Sequence, residues 1–172
     1  MIYGQEVNIF VRLLVICLLA GVLGWERESA GKAAGLRTHI LVGIATVLFV
    51  VIGEYIAREF GTYGPHVRFD AANLLGAIVT GISFLGAGMI IFKQREGRDI
   101  VGLTTAAGIL TTAAIGVLVG MQQYLVAVGS TVIVFIVLRF VNLLEPRNRM
   151  RRATDRANAN ADELVEGNEG KG

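Results

Sequence analysis

The chain has 172 residues, 53% of them hydrophobic and 17% charged, and its 16 Lys and Arg against 14 Asp and Glu leave a net charge of +2. Charge so sparse and balanced excludes a basic nucleic-acid reader, and no nucleic-acid partner is expected. The single cysteine, Cys17, excludes an internal disulfide or a thiolate metal site and reads as a small packing group.

Five apolar stretches follow one another along the chain: 7–24, 38–55, 71–92, 103–120 and 124–144. About 20 apolar residues, each rising about 1.5 Å, cross a hydrocarbon core of about 30 Å. The pattern predicts an all-α, polytopic integral membrane protein with five transmembrane helices. Residues 1–144 form that membrane domain, and 145–172 form a basic tail that is partly disordered toward its polar end. Twelve Lys and Arg follow stretches one, three and five, whereas only Arg58 and Arg68 lie in the segments on the other side. The positive-inside rule therefore puts the N-terminus outside and the tail in the cytoplasm.

In stretch one, Arg12 lies at membrane depth, where an arginine costs about 2.5 kcal/mol or more and so faces protein, water or a partner. Asp70 opens stretch three at comparable depth. The expectation is an Arg12–Asp70 pair clamping two helices; the alternative frees Asp70 to bind a cation or proton. Stretch one closes on Trp25, an interface anchor, followed by Glu26, Arg27 and Glu28, then Lys32, Arg37, Thr38 and His39. Glu28 and Lys32 stand four apart, suited to an ion pair if the helix continues. Hard carboxylate oxygens suit Mg²⁺, so Glu26, Glu28 and Asp70 are candidate metal ligands, but the adjacent bases favour an ion-pair network. His39 titrates near neutral pH in its unperturbed form, yet one histidine alone makes a poor transition-metal site.

Gly35-Leu36-Arg37-Thr38 is echoed by Gly102-Leu103-Thr104-Thr105 before stretch four, with Thr38 and Thr105 as expected helix caps. The echo would make stretches one–two and three–four parallel repeats. Stretch three carries Gly76, Thr80, Gly81, Gly86 and Gly88. Stretch four carries Thr104, Gly108, Thr112, Gly116 and Gly120, one small residue every four. Helices associate in lipid largely by such close packing, and these two are expected to meet backbone to backbone. No nucleophile motif, phosphate loop or zinc spacing occurs in the sequence, and no enzymatic activity or resident cofactor is expected.

Gly24-Trp25-Glu26-Arg27-Glu28, Gly31-Lys32-Ala33-Ala34-Gly35-Leu36-Arg37-Thr38-His39, Gly81-Ile82-Ser83-Phe84-Leu85-Gly86-Ala87-Gly88-Met89-Ile90 and Gly102-Leu103-Thr104-Thr105-Ala106-Ala107 together resemble the N-terminal membrane domain of the MgtC/SapB family. The resemblance runs from about Arg12 to Gly120, and Arg12 and Asp70 fall where that family tends to have an arginine and an aspartate. Asn73, Ala77 and Ser83 depart from the family's usual Arg, Gln and Gly. Longer relatives add a soluble cytoplasmic domain that the resemblance does not include. It implies a bacterial inner-membrane protein of Mg²⁺ homeostasis, with Mg²⁺ as ligand or substrate. Two modes of action are implied: regulation of a larger membrane complex such as the ATP synthase, or cation transport by a homo-oligomer.

Overall fold

A computed structural model describes residues 2–61, 70–93 and 102–140. Helices α1 (Ile2–Ser29), α2 (Leu36–Gly61), α3 (Ala71–Lys93) and α4 (Leu103–Gly120) are each long and apolar enough to cross a membrane. A shorter apolar helix, α5, covers Tyr124–Phe140. There is no strand among the described residues. The last residues of the fifth stretch, Arg68, the basic residues within 94–101 and the tail 145–172 lie outside the described residues. The chain divides into two compact units, Met1–Phe135 and Ile136–Gly172, and the packing below is that of the first.

Helices α1 and α2 outrun their apolar stretches. Helix α1 continues to Ser29, so Glu26, Arg27 and Glu28 ride on its last turns instead of a loop. It then stops on Gly31, whose φ of +65° only glycine adopts without strain. There the Lys32 N–H donates to the Arg27 carbonyl and the Gly31 N–H to the Glu28 carbonyl, each at 3.0 Å, which is the Schellman pattern. The helix therefore ends before Lys32, and the helical i,i+4 spacing expected between Glu28 and Lys32 does not form. Glu28 instead accepts the Leu36 N–H at 2.8 Å and caps α2. Thr38 thus sits inside α2, and Thr105 is a buried residue inside α4, whose N-cap is Gly102 at φ 112°. Neither threonine is the cap its position suggested. A carboxylate arriving from α1 has taken that role at α2.

Helix α1 packs along α2, α2 along α4, and α3 on α4, with lighter α1–α4 and α2–α3 contacts. Glycines set how closely they approach. A methyl group on Gly24 would lie 2.7 Å from Leu36 Cα, so the α1–α2 hairpin closes backbone to backbone. The small ridge of α4 also finds a partner, and it is not α3. Gly108 faces His39, Gly116 faces Thr46 and the Gly43 carbonyl, and Gly120 faces Val50, all on α2. Thr112 on the same ridge is fully buried, while Thr104 is exposed. The expected meeting of the α3 and α4 ridges is reduced to Gly86 against Ala106, where a methyl would come within 3.2 Å. The reason is register: α4's small residues recur every four positions along the side that α2 occupies, leaving α3 another side.

Half of α4's apolar window is buried, against 11% for α3. Gly76, Gly81 and Gly88 of α3 have nothing within 4 Å of where a Cβ would stand. Between α2 and α3 runs an apolar groove of about 560 Å³, with Phe49, Ile78 and Leu85 among its walls. The two hairpins nevertheless share a detail. Gly24 meets the Cβ of His39 at 3.0 Å and Gly86 meets that of Ala106 at 3.2 Å, each the third residue after the leucine of its Gly-Leu-x-Thr segment.

Candidate functional site

Two polar clusters lie within the helical bundle. The first is built on Arg12, which is only 4% exposed. Its Nε donates to Asn8 Oδ1 at 2.7 Å, one turn back on α1. Its Nη1 donates both to Glu54 Oε2 of α2 at 2.9 Å and to the carbonyl of Gly120 at 2.7 Å, the last residue of α4. One guanidinium therefore joins three helices, and it does so at the negative end of the α4 dipole. Asp70 has no part in this. Its carboxylate accepts the N–H groups of Ala72 (2.9 Å) and Asn73 (3.1 Å), capping α3. Among the described residues, the Arg12–Asp70 clamp is replaced by Arg12–Glu54. Asp70→Ala should accordingly cost no more than about 1 kcal/mol, the usual worth of an N-cap, in reversible unfolding.

Around this node is a polar cavity of about 320 Å³, lined by α1, α2 and the α4–α5 turn. Gln122 from that turn has a φ of 61°, the only positive φ at a non-glycine residue among those described. The conformation terminates α4: the Gln123 N–H reaches the Leu118 carbonyl at 2.8 Å. Holding a glutamine there costs on the order of 1 kcal/mol.

The second cluster lies at the other end of α1. Arg27 and Glu26, 1% and 3% exposed, pair at 2.6 Å. His39 is fully buried beside them, and its Nδ1 lies 2.9 Å from the Gly35 carbonyl. Because a carbonyl only accepts, Nδ1 carries the proton, and in the neutral ring Nε2 is left as a bare acceptor. That Nε2 has no hydrogen-bond partner among the described residues, and it faces α4 at Gly108. Arg37 is exposed and Thr38 half-buried nearby.

The three candidate metal ligands are not brought together. Glu26 is taken by Arg27, Glu28 by the start of α2, and Asp70 by the start of α3. No group of three or more His, Cys, Asp or Glu placed to hold a metal occurs among the described residues. Glu54, Asn8 and Gln122 were missed in the sequence, although hairpin register points to the first. Helices turning back about residues 32–33 pair positions whose numbers sum to about 65, which sets Arg12 opposite residue 53 or 54.

Apolar helices carrying buried, internally paired ionic groups define a helical membrane protein. The sequence profile of the MgtC family matches residues 13–147, and the chain belongs to that family. It is 37% identical over 134 residues to the Escherichia coli (strain K12) protein named "Putative magnesium transporter YhiD", covering 78% of this chain and 60% of that one. It is 35% identical over 124 residues to "Protein MgtC" of Salmonella typhimurium (strain LT2), covering 72% of this chain and 48% of that one. The chain thus spans about half to three fifths of the length of these relatives. No solved structure matches it.

Proposed function

We propose that this protein is a five-span inner-membrane protein, N-terminus outside and tail cytoplasmic, that serves Mg²⁺ homeostasis by docking its helices on other membrane machinery. The observation that carries this reading is the contrast among its glycines. Gly24, Gly43, Gly116 and Gly120 of α1, α2 and α4 are consumed in close contacts, while Gly76, Gly81 and Gly88 of α3 border open space. Small residues earn their place in a membrane helix by letting another backbone approach, and α3 offers three with no neighbour among the described residues. The buried ions support the same reading, because Arg12, Glu26 and Arg27 each hold protein groups.

A second reading, Mg²⁺ transport by a homo-oligomer, is favoured by the name of the E. coli relative and by the carboxylate of Glu54 at the polar cavity. Purified protein in liposomes separates the two. The docking reading expects Mg²⁺ entry no faster than in empty vesicles. Entry that is saturable, and lost in Asp70→Asn or Glu54→Gln protein that remains folded, would replace docking with transport.

A further inference from the structure

Arg12 has five N–H donors, and three are spent on Asn8, Glu54 and Gly120. The remaining two, on Nη2, have no partner among the described residues, and the residue lines the polar cavity. A residue only 4% exposed thus keeps two unspent donors where it lines that space. Glu54 does the reverse. Its Oε2 is bound to Arg12, whereas Oε1 has no partner among the described residues, and the side chain is 34% exposed. The ion pair that lines the cavity therefore has both donors and an acceptor to spare. Arg58 and Glu59 repeat the two signs on the exposed wall.

We propose that this cavity binds a zwitterionic phospholipid headgroup of the phosphoethanolamine type. Its phosphate oxygens accept from Arg12 Nη2 and Arg58, and its ammonium donates to Glu54 Oε1 and Glu59. Two carboxylates in the lining oppose an anionic glycerol headgroup, and a quaternary choline has no N–H to give them. The location indicates a lipid. The cavity sits where α1 and α2 emerge from their apolar stretches, beside Tyr55, 69% exposed, an aromatic of the kind that sits at headgroup level. Gln122, bent into the left-handed region, also lines it.

The test uses the full chain in detergent, titrated separately with phosphatidylethanolamine, phosphatidylcholine, phosphatidylglycerol and soluble glycerophosphoethanolamine. Thermal unfolding is the readout. Phosphatidylethanolamine should raise the melting temperature by about 4 °C at saturation, more than the other two lipids, as a ligand of the native state alone does. Glycerophosphoethanolamine should give a smaller rise at higher concentration. A rise with the soluble headgroup alone would retain the site and make its occupant a free zwitterion. Arg58→Gln and Glu59→Gln change only exposed side chains and should each reduce the response several-fold. Gln122→Gly should melt higher on its own, being freed of its backbone strain, while responding less to the lipid. Equal rises with all three lipids, or a full response in all three variants, would overturn the proposal.

Discussion

Arg12→Met should destabilise this protein by about 3 kcal/mol in reversible unfolding. The substitution keeps the side-chain bulk but strands the Glu54 carboxylate and removes the donor from the Gly120 carbonyl. Removing one partner of a buried pair costs about 3–5 kcal/mol, and Glu54, 34% exposed, retains enough water to hold the loss near the lower end. Arg12→Met with Glu54→Gln should recover part of the loss, since no charge is then left without its partner. A double-mutant cycle in reversible unfolding gives the coupling directly. The same cycle between Arg12 and Asp70 should give a coupling near zero. A large Arg12–Asp70 coupling and a negligible Arg12–Glu54 one would reverse the assignment.

The second large effect belongs to the glycines, and its sign depends on position. Gly24→Ala puts a methyl 2.7 Å from the Cα of Leu36, a backbone atom that no rotamer change can move. Overpacking of this kind costs about 1–3 kcal/mol, more than the gain in helix propensity of about 0.5–1 kcal/mol returns. Gly120→Ala meets Val50 at the same 2.7 Å and should behave alike. Gly76→Ala on α3 meets nothing, so in purified monomer it should stabilise by up to about 1 kcal/mol. Thermal unfolding of the three variants in one detergent checks the order. Loss of stability in Gly76→Ala would mean that α3's open side is already covered.

What could be read from the sequence follows from which signals are local. A long apolar run has little choice but to become a helix in lipid, so stretches three and four coincide closely with α3 and α4. The glycine spacing of α4 marks a small-residue face, but spacing alone does not say that Gly108, Gly116 and Gly120 meet α2. That depends on the register between hairpins, and two glycine-rich helices look mutually suited whether or not they touch. Arg12 announced itself as a buried ion needing partners, because an arginine in an apolar run has few alternatives. Its partner was misassigned because Glu54 closes an apolar stretch and reads as an end residue, while Asp70 stands out at the start of another. Capping failed for a related reason. Thr38 is a good cap by type, but Glu28 reaches the Leu36 N–H from the preceding helix, a tertiary contact that local spacing does not encode.

Ions and close glycine contacts lock α1, α2 and α4 together, and in the proposed docking the open side of α3 meets another protein. Site-directed crosslinking in native membranes addresses it most directly. In a Cys17→Ser background, Gly81→Cys and Gly88→Cys on α3 are compared with Leu18→Cys on α1, a position 71% exposed. Docking through α3 should give discrete crosslinked protein, either a second copy or a foreign membrane subunit, from both α3 positions and none from Leu18. Crosslinks from Leu18 alone, or none from α3 while the protein is folded and abundant, would contradict it.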